Sequence, residues 1–334
     1  MTITLTSSRL GGHKLLLVME QTKRPVTVLW NVRSGWDEGE REAEAVRHVL
    51  AEVDPNLKFQ KLDKGHDITQ QCNDCLDSGS QVLVAAGGDG TINAVASALI
   101  NKPAALGVIP AGTLNHFARD LAIEIDPEKA ARQFTGGHEI RVDVGWVNGR
   151  IFVNNSVLGI YPVYRAAREA YESRGLGKTS VGRFLAVLGG ILRVFWRLPH
   201  MTVRLVINDQ AHVMKTPFVL IANNEHELEE GRIGRRTSLN EGHLWVYVMR
   251  KASRWSLLRF FVSFIFGRFS KKDAFEEFRV RELRIETKRK RIGVGVDGEI
   301  VQMQSPLDYR SLPEALRVIA PAHYLSNGEG QAEK

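Results

Sequence analysis

One turn constrains this chain more than any other feature. The apolar run Val82-Leu83-Val84-Ala85-Ala86 ends in Gly87-Gly88-Asp89-Gly90-Thr91, and helical spacing resumes at about Ile92. Strand, glycine turn and helix in that order belong to a parallel sheet, because parallel neighbours need a crossover, usually a helix. The glycines let backbone N–H groups approach an anion, and the helix N-terminus adds partial positive charge. An aspartate inside such a cradle repels a bare phosphate. It suits a turn that reaches a metal ion on the phosphate or accepts a proton. A tight βα turn capped by Asp89 is the plainer alternative. The turn lacks the Gly-Lys-Ser/Thr ending of a P-loop and the spacing of a dinucleotide fingerprint.

The same pattern recurs around it. Val26–Trp30 reads as a buried strand running into Asn31-Val32-Arg33-Ser34-Gly35. Val46, Val49, Leu50 and Val53 then fall on one helical face, and Leu57 and Phe59 alternate in a short strand. Residues 67–78 read as a helix carrying Cys72 and Cys75. No second Cys pair completes a zinc site, so these are expected to be ordinary helix residues. Ala105–Ile109 is another strand, followed by Pro110-Ala111-Gly112-Thr113-Leu114-Asn115-His116 and a further helix. Three polar, glycine-bearing loops therefore sit at carboxyl ends of parallel strands, where open α/β sheets bind ligands.

Near residue 140 the period changes. Val142, Val144 and Trp146 alternate, Asn148-Gly149 follows, and Ile151 and Val153 alternate again, which predicts a hairpin. Strand-like runs follow at 201–207, 217–222, 244–249, 278–286 and 291–296, with helical segments at 181–197 and 254–268. The expected architecture is an α/β domain with a parallel sheet, then a β-rich antiparallel sandwich. The α/β domain spans 25–140, completed in one version by 310–325, and the β-rich domain spans 141–310. Residues 1–24 and 326–334 are expected to be loose termini. Val296-Asp297-Gly298-Glu299-Ile300 reads as a hairpin tip, or as two carboxylates facing a ligand across a cleft.

Composition excludes several classes. With 43% hydrophobic and 25% charged residues the chain is ordinary for a globular protein. Its longest apolar stretch, Phe260–Phe266, is well short of the ~20 residues a membrane span needs. No secretory leader is evident at the N-terminus, so a cytoplasmic location is expected. Lys plus Arg less Asp plus Glu is 45 − 38 = +7, which favours anionic partners. Arg254–Arg268, followed by Lys271 and Lys272, is apolar, aromatic and flanked by basic residues, as is Arg183–Arg197. Such segments suit a membrane interface, or pack on the β-domain while their arginines snorkel. Lys288-Arg289-Lys290-Arg291 reads as a solvated turn, and no nucleic-acid partner is expected.

Taken together, Gly87-Gly88-Asp89-Gly90-Thr91, Gly112-Thr113-Leu114-Asn115 with Phe117-Ala118-Arg119, and Asp297-Gly298-Glu299 resemble the diacylglycerol kinase catalytic-domain family. That family includes bacterial lipid kinases, sphingosine kinases and ceramide kinases, and its first motif is shared with NAD kinases. The likeness runs from about residue 25 to 322. It implies an ATP-dependent, Mg²⁺-assisted lipid kinase of phospholipid metabolism. The acceptor would be a diacylglycerol-like, sphingoid or ceramide-like hydroxyl. It also implies peripheral association with the inner face of the membrane and allows a homodimer. A kinase of a soluble acceptor such as NAD, and a non-catalytic nucleotide- or lipid-binding protein, stay open as alternatives.

Residue by residue, Asn31, Ser34 and Gly35 match the family's first nucleotide loop, with Val32 where proline is usual. Gly87, Gly88, Gly90, Thr91 and Asn93 match its phosphate turn, and Gly112 and Thr113 the second nucleotide turn. Glu299 matches the proposed base, with Asp297 its neighbour and Asp89 a rival for base or Mg²⁺-network ligand. Glu241, with main-chain oxygens of Ser238 and His243, matches a structural Mg²⁺ site that usually carries aspartate. Ala94 and His116 stand where many members carry acids.

Overall fold

The computed structural model describes residues 24–31, 36–52, 57–62, 67–159, 200–225, 236, 238–250 and 275–324. Ser34, Gly35, the two basic apolar segments and both expected loose ends fall outside these residues, apart from Arg24. Two compact units are present: Val142–Ala315 forms one, and the chain on either side of it forms the other. The divisions fall inside two strands, β5 (His138–Val147) and β16 (Leu307–Ala320).

In the first unit, β1 (Val26–Trp30) runs parallel to β2 (Lys58–Lys61) and to β3 (Val82–Gly87). β3 pairs in parallel with β4 (Ala105–Pro110), and β4 meets the end of β16 (Leu307–Ala320) at Leu106 and Val318. Every residue of β3 and β4 is buried. That explains why both read as continuous apolar runs rather than alternating ones.

The helices are α1 (Trp36–Ala51), α2 (Ile68–Asp77), α3 (Asp89–Leu99), α4 (His116–Asp120) and α5 (Pro127–Thr135). Local chemistry sets their ends. Asp67 caps α2 by accepting from Thr69 N, and Asp126 caps α5 by accepting from Lys129 N, with Pro127 in its first turn. Both cysteines of α2 are buried and free. Burial pushes the Cys72 thiol up to about 12 and raises that of Cys75 as well. Thiols held protonated in this way are poor nucleophiles and poor zinc ligands.

The second unit is antiparallel. β5 (His138–Val147) turns at Asn148-Gly149 into β6 (Arg150–Phe152). Both turn residues have positive φ, 42° and 88°, as a two-residue hairpin demands. β5 also pairs with β16, whose first part pairs with β13 (Glu282–Thr287). Next come β8 (Met201–Ile207) and β9 (Gln210–Thr216). A second sheet orders β12 (Phe275–Val280), β11 (Leu244–Met249), β10 (Phe218–Asn223), β7 (Asn155–Gly159), β14 (Arg291–Val296) and β15 (Glu299–Gln304). Leu158, Val219, Ile221, Val246 and Val294 of this sheet share a core with Val203, Leu205, Ile285 and Leu307 of the other.

The run 278–286, read as one strand, is two strands in different sheets. The inward parity changes at Arg281: Val280 is buried on β12, but Leu283 and Ile285 on β13. A strand cannot change parity without a break. Lys288-Arg289-Lys290 is an exposed connection between β13 and β14.

Candidate active site

Three strand ends of the first unit converge on the glycine turn. Gly88 is the N-cap of α3, so the helix begins at Asp89, three residues before the apolar spacing shows it. Thr91 N and Ile92 N both bond Gly88 O, at 2.9 and 3.1 Å. The amides of Asp89 and Gly90 precede these first bonds and are the groups a helix N-terminus offers to an anion. Gly87 O accepts from Ala111 N at 2.9 Å, which ties this turn to the one after β4. The two turns then touch backbone to backbone: a Cβ on Gly112 would lie 2.5 Å from Gly88 Cα. No residue but glycine fits at 112 without moving main chain.

Asparagines fix both loops. Asn115 is buried in a left-handed conformation, φ 51°, and its amide grips Gly112 at both ends. Its Oδ1 accepts from Gly112 N at 3.1 Å and its Nδ2 donates to Gly112 O at 2.9 Å. Asn31 donates from Nδ2 to the buried Thr91 hydroxyl at 2.8 Å, and its own N bonds Ala86 O. Gly112 and Thr113 are exposed, as is Leu114 at 60%. Asn93 lies on α3, half-buried. Of the two positions where many family members carry acids, Ala94 is half-buried on α3 and His116 is the exposed first residue of α4.

Asp89 carries the unsatisfied group of this constellation. Its Oδ1 is buried and has no hydrogen-bond partner among the described residues. Leaving a buried acceptor unmet costs ~1–3 kcal/mol, so the position is one a ligand's donor or a hydrated cation would relieve. The donor chemistry fits Mg²⁺, which keeps several waters and one or two carboxylates beside substrate phosphates.

In the second unit, Val296-Asp297-Gly298-Glu299 forms a two-residue turn, with φ 42° at Asp297 and 86° at Gly298. Here the two expected carboxylates separate. Asp297 is saturated: it accepts from Val153 N at 2.7 Å, and from Asn154 N and Asn155 N at 2.9 Å each. Glu299 opens β15, exposed, and its carboxylate makes no hydrogen bond with a described residue.

Sequence reading missed the residues around that loop. Buried Arg236 donates to Val153 O, Asn223 O and Asn154 Oδ1. Asn223 donates to Asp143 O at 2.8 Å and Val153 O at 3.1 Å. Asn224 is fully buried with φ 67°, and neither atom of its amide has a partner among the described residues. The available signal was the doublets Asn154-Asn155 and Asn223-Asn224, polar pairs closing otherwise apolar runs.

Ser238, Glu241 and His243 share one turn before β11. Glu241 Oε2 accepts from Trp245 Nε1 at 3.1 Å, the Ser238 hydroxyl donates to Asn240 Oδ1, and His243 O accepts from Asn224 N. Buried Asp143 holds the turn by accepting from Gly242 N, and holds β16 by accepting from Glu314 N. One carboxylate with main-chain oxygens is donor chemistry that suits a hard cation. Among the described residues, no group of three His, Cys, Asp or Glu side chains that could hold a metal occurs.

Comparison with known proteins matches these two halves in turn. The diacylglycerol kinase catalytic domain matches residues 25–147, and the YegS C-terminal NAD kinase beta sandwich-like domain matches residues 182–320. A diacylglycerol kinase of Staphylococcus saprophyticus is 27% identical over 236 residues, covering 69% of this chain and 74% of that protein. One of Staphylococcus aureus is 32% identical over 181 residues, covering 54% of this chain and 55% of that protein. The crystal structure of a diacylglycerol kinase from Bacillus anthracis has the same fold, with TM-score 0.69 at 20% identity over 90% of this chain and 98% of that one. With its glycine turn and both models matched in order, the chain carries a segment, residues 25–147, that matches the diacylglycerol kinase catalytic domain, followed over residues 182–320 by one that matches the YegS C-terminal domain.

Proposed function

We propose that this protein transfers the γ-phosphoryl group of ATP to the hydroxyl of a diacylglycerol-like lipid. The observation that carries the reading is the Asp89 turn. The first backbone amides of α3 precede its first helical hydrogen bonds, no side chain intrudes at Gly88 or Gly112, and one buried carboxylate oxygen lacks a partner among the described residues. Phosphoryl transfer depends mostly on positioning and charge neutralisation, and this turn supplies both.

In this reading Gly87, Gly88, Gly90, Gly112 and Thr113 receive the nucleotide, and Asn31 and Asn93 flank it. Ser34 and Gly35 complete its first loop. Mg²⁺, when bound, would offset charge on the phosphate oxygens, and Asp89 would be the carboxylate that holds it. Glu299 removes the proton of the acceptor hydroxyl, a contribution of ~10²–10⁴-fold for a well-placed base. Glu241 with the Ser238 and His243 carbonyls would hold a structural cation. A lipid acceptor brings the chain to a membrane surface, and its net charge of +7 suits an anionic leaflet. Among the described residues no helix is long and apolar enough to cross a membrane.

The test is phosphorylation from radiolabelled ATP and Mg²⁺ into mixed micelles holding diacylglycerol, sphingosine and ceramide. Asp89→Asn and Glu299→Gln run alongside. A labelled chloroform-soluble product that both variants lose supports the reading and identifies the acceptor. Label in NAD but not in lipid assigns a soluble acceptor. Nucleotide binding with no product in either phase overturns catalysis.

A further inference from the structure

We infer that Asp297 is a positioning residue that sets Glu299, and not a second base. The inference rests on the role of Glu299 proposed above and deepens it. The carboxylate of Asp297 receives three consecutive main-chain donors, Val153 N, Asn154 N and Asn155 N, at 2.7–2.9 Å. Its own N donates back to Asn155 O at 2.9 Å. A carboxylate occupied in this way has little capacity left to accept a proton from a substrate.

The segment it holds is fastened from the opposite side too. Val153 O accepts from Arg236 and from Asn223, and Asn154 Oδ1 accepts from Arg236. Residues 153–155 are therefore bound through both their N–H and C=O groups, and they lead directly into β7. β7 pairs with β14 through Ser156 and Val296, and Val296 pairs with Glu299. The path from the fastened segment to Glu299 is thus one turn and one rung of sheet. The left-handed φ at Asp297 and Gly298 leaves that turn a single shape.

The experiment uses the full chain. Asp297→Asn keeps an Asn-Gly pair, the preferred sequence for this turn, so the hairpin survives. It replaces one acceptor oxygen with a donor that faces a main-chain N–H. Three readouts are taken: amide hydrogen exchange at 153–155, steady-state kinetics with diacylglycerol micelles, and the pH–rate profile. The expected result is faster exchange at those amides and kcat down ~10–100-fold, with KM for ATP within about two-fold. The acidic limb of the profile stays in place, because the base is untouched. The double variant Asp297→Asn/Glu299→Gln then loses no more than Glu299→Gln alone.

Loss of the acidic limb in Asp297→Asn, with exchange at 153–155 unchanged, overturns the inference and makes Asp297 a base. Additive losses in the double variant also overturn it, because Asp297 would then act without Glu299. Wild-type kcat in Glu299→Gln is a separate outcome. It overturns the role of Glu299 and withdraws the inference with it, whatever Asp297→Asn does. Should Asp297→Asn fail to unfold cooperatively, Asp297→Gly replaces it, since Gly-Gly also adopts the turn.

Discussion

The chain uses the dipeptide Asp-Gly twice in a turn, at 89–90 and at 297–298, with opposite results. In the first unit the carboxylate of Asp89 keeps a buried oxygen with no partner among the described residues. In the second, the carboxylate of Asp297 is filled by three backbone donors. The difference lies in what surrounds each turn. At Asp89 the neighbouring turn presents Gly112, whose N–H and C=O are both already gripped by Asn115. At Asp297 the neighbouring loop presents three N–H groups pointing one way. A carboxylate short of donors is available to a ligand, and one fully supplied is part of the scaffold.

The largest test of this contrast is Asp89→Asn. It should cut lipid phosphorylation ~10²–10⁴-fold while changing the urea midpoint little, because no protein contact of Oδ1 is lost. Unchanged turnover would make Asp89 a helix-start residue and nothing more. The mirror experiment is Asp297→Ala, which strips three donors of their acceptor and puts alanine at positive φ. Unfolding in urea should show a loss of ~2–4 kcal/mol. A loss below ~0.5 kcal/mol would show that water serves those amides equally well.

Gly112→Ala comes next. Its methyl group would meet Gly88 main chain at 2.5 Å. Overpacking of this kind costs ~1–3 kcal/mol, and nucleotide binding measured by calorimetry should weaken more than stability does.

The smallest effect is a pH dependence. The Cys72 thiol is raised by burial from 9.0 to about 12. A raised folded value means the fold favours the protonated thiol. Its contribution to stability is therefore complete below pH 9.0, and it is lost progressively as pH climbs towards about 12. Cys72→Ala should flatten the alkaline slope of the urea midpoint. An unaltered slope would assign it to other groups.

Much of the first unit was legible because its signals are local. β3 and β4 are buried on both faces, and a helix follows each within a few residues, so the sequence order repeats the spatial order. The hairpins at Asn148-Gly149 and Asp297-Gly298 were legible for the same reason, since the turn sets the pairing. β9 was missed because it is a sheet edge whose inward face carries His212, Met214 and Thr216 while the apolar Ala211 and Val213 face outward, so its burial alternates but its hydropathy does not. β16 was missed because Pro313, with Glu314 at φ 50°, interrupts the pattern of a long strand. The role of Asp297 was out of reach altogether. Its partner Val153 lies 144 residues away, and nothing local marks which carboxylate will be filled. Arg236 was invisible on similar grounds, because it reaches across the chain to the carbonyls of Val153 and Asn223.

The contact of Gly88 with Gly112 bears on how this site can change over generations. Gly112 cannot gain a side chain without moving Gly88 main chain, whereas one at Gly88 would sit tightly, 3.3 Å from Gly112 Cα. A substitution at one cannot be rescued by shrinking the other, which is already minimal. Variation in nucleotide preference must therefore enter through residues around the pair, such as Ala94 or His116, while Gly112 stays locked. A library randomised at both positions should return glycine almost alone at 112 and at most small residues at 88, and one randomised at 94 and 116 should return many.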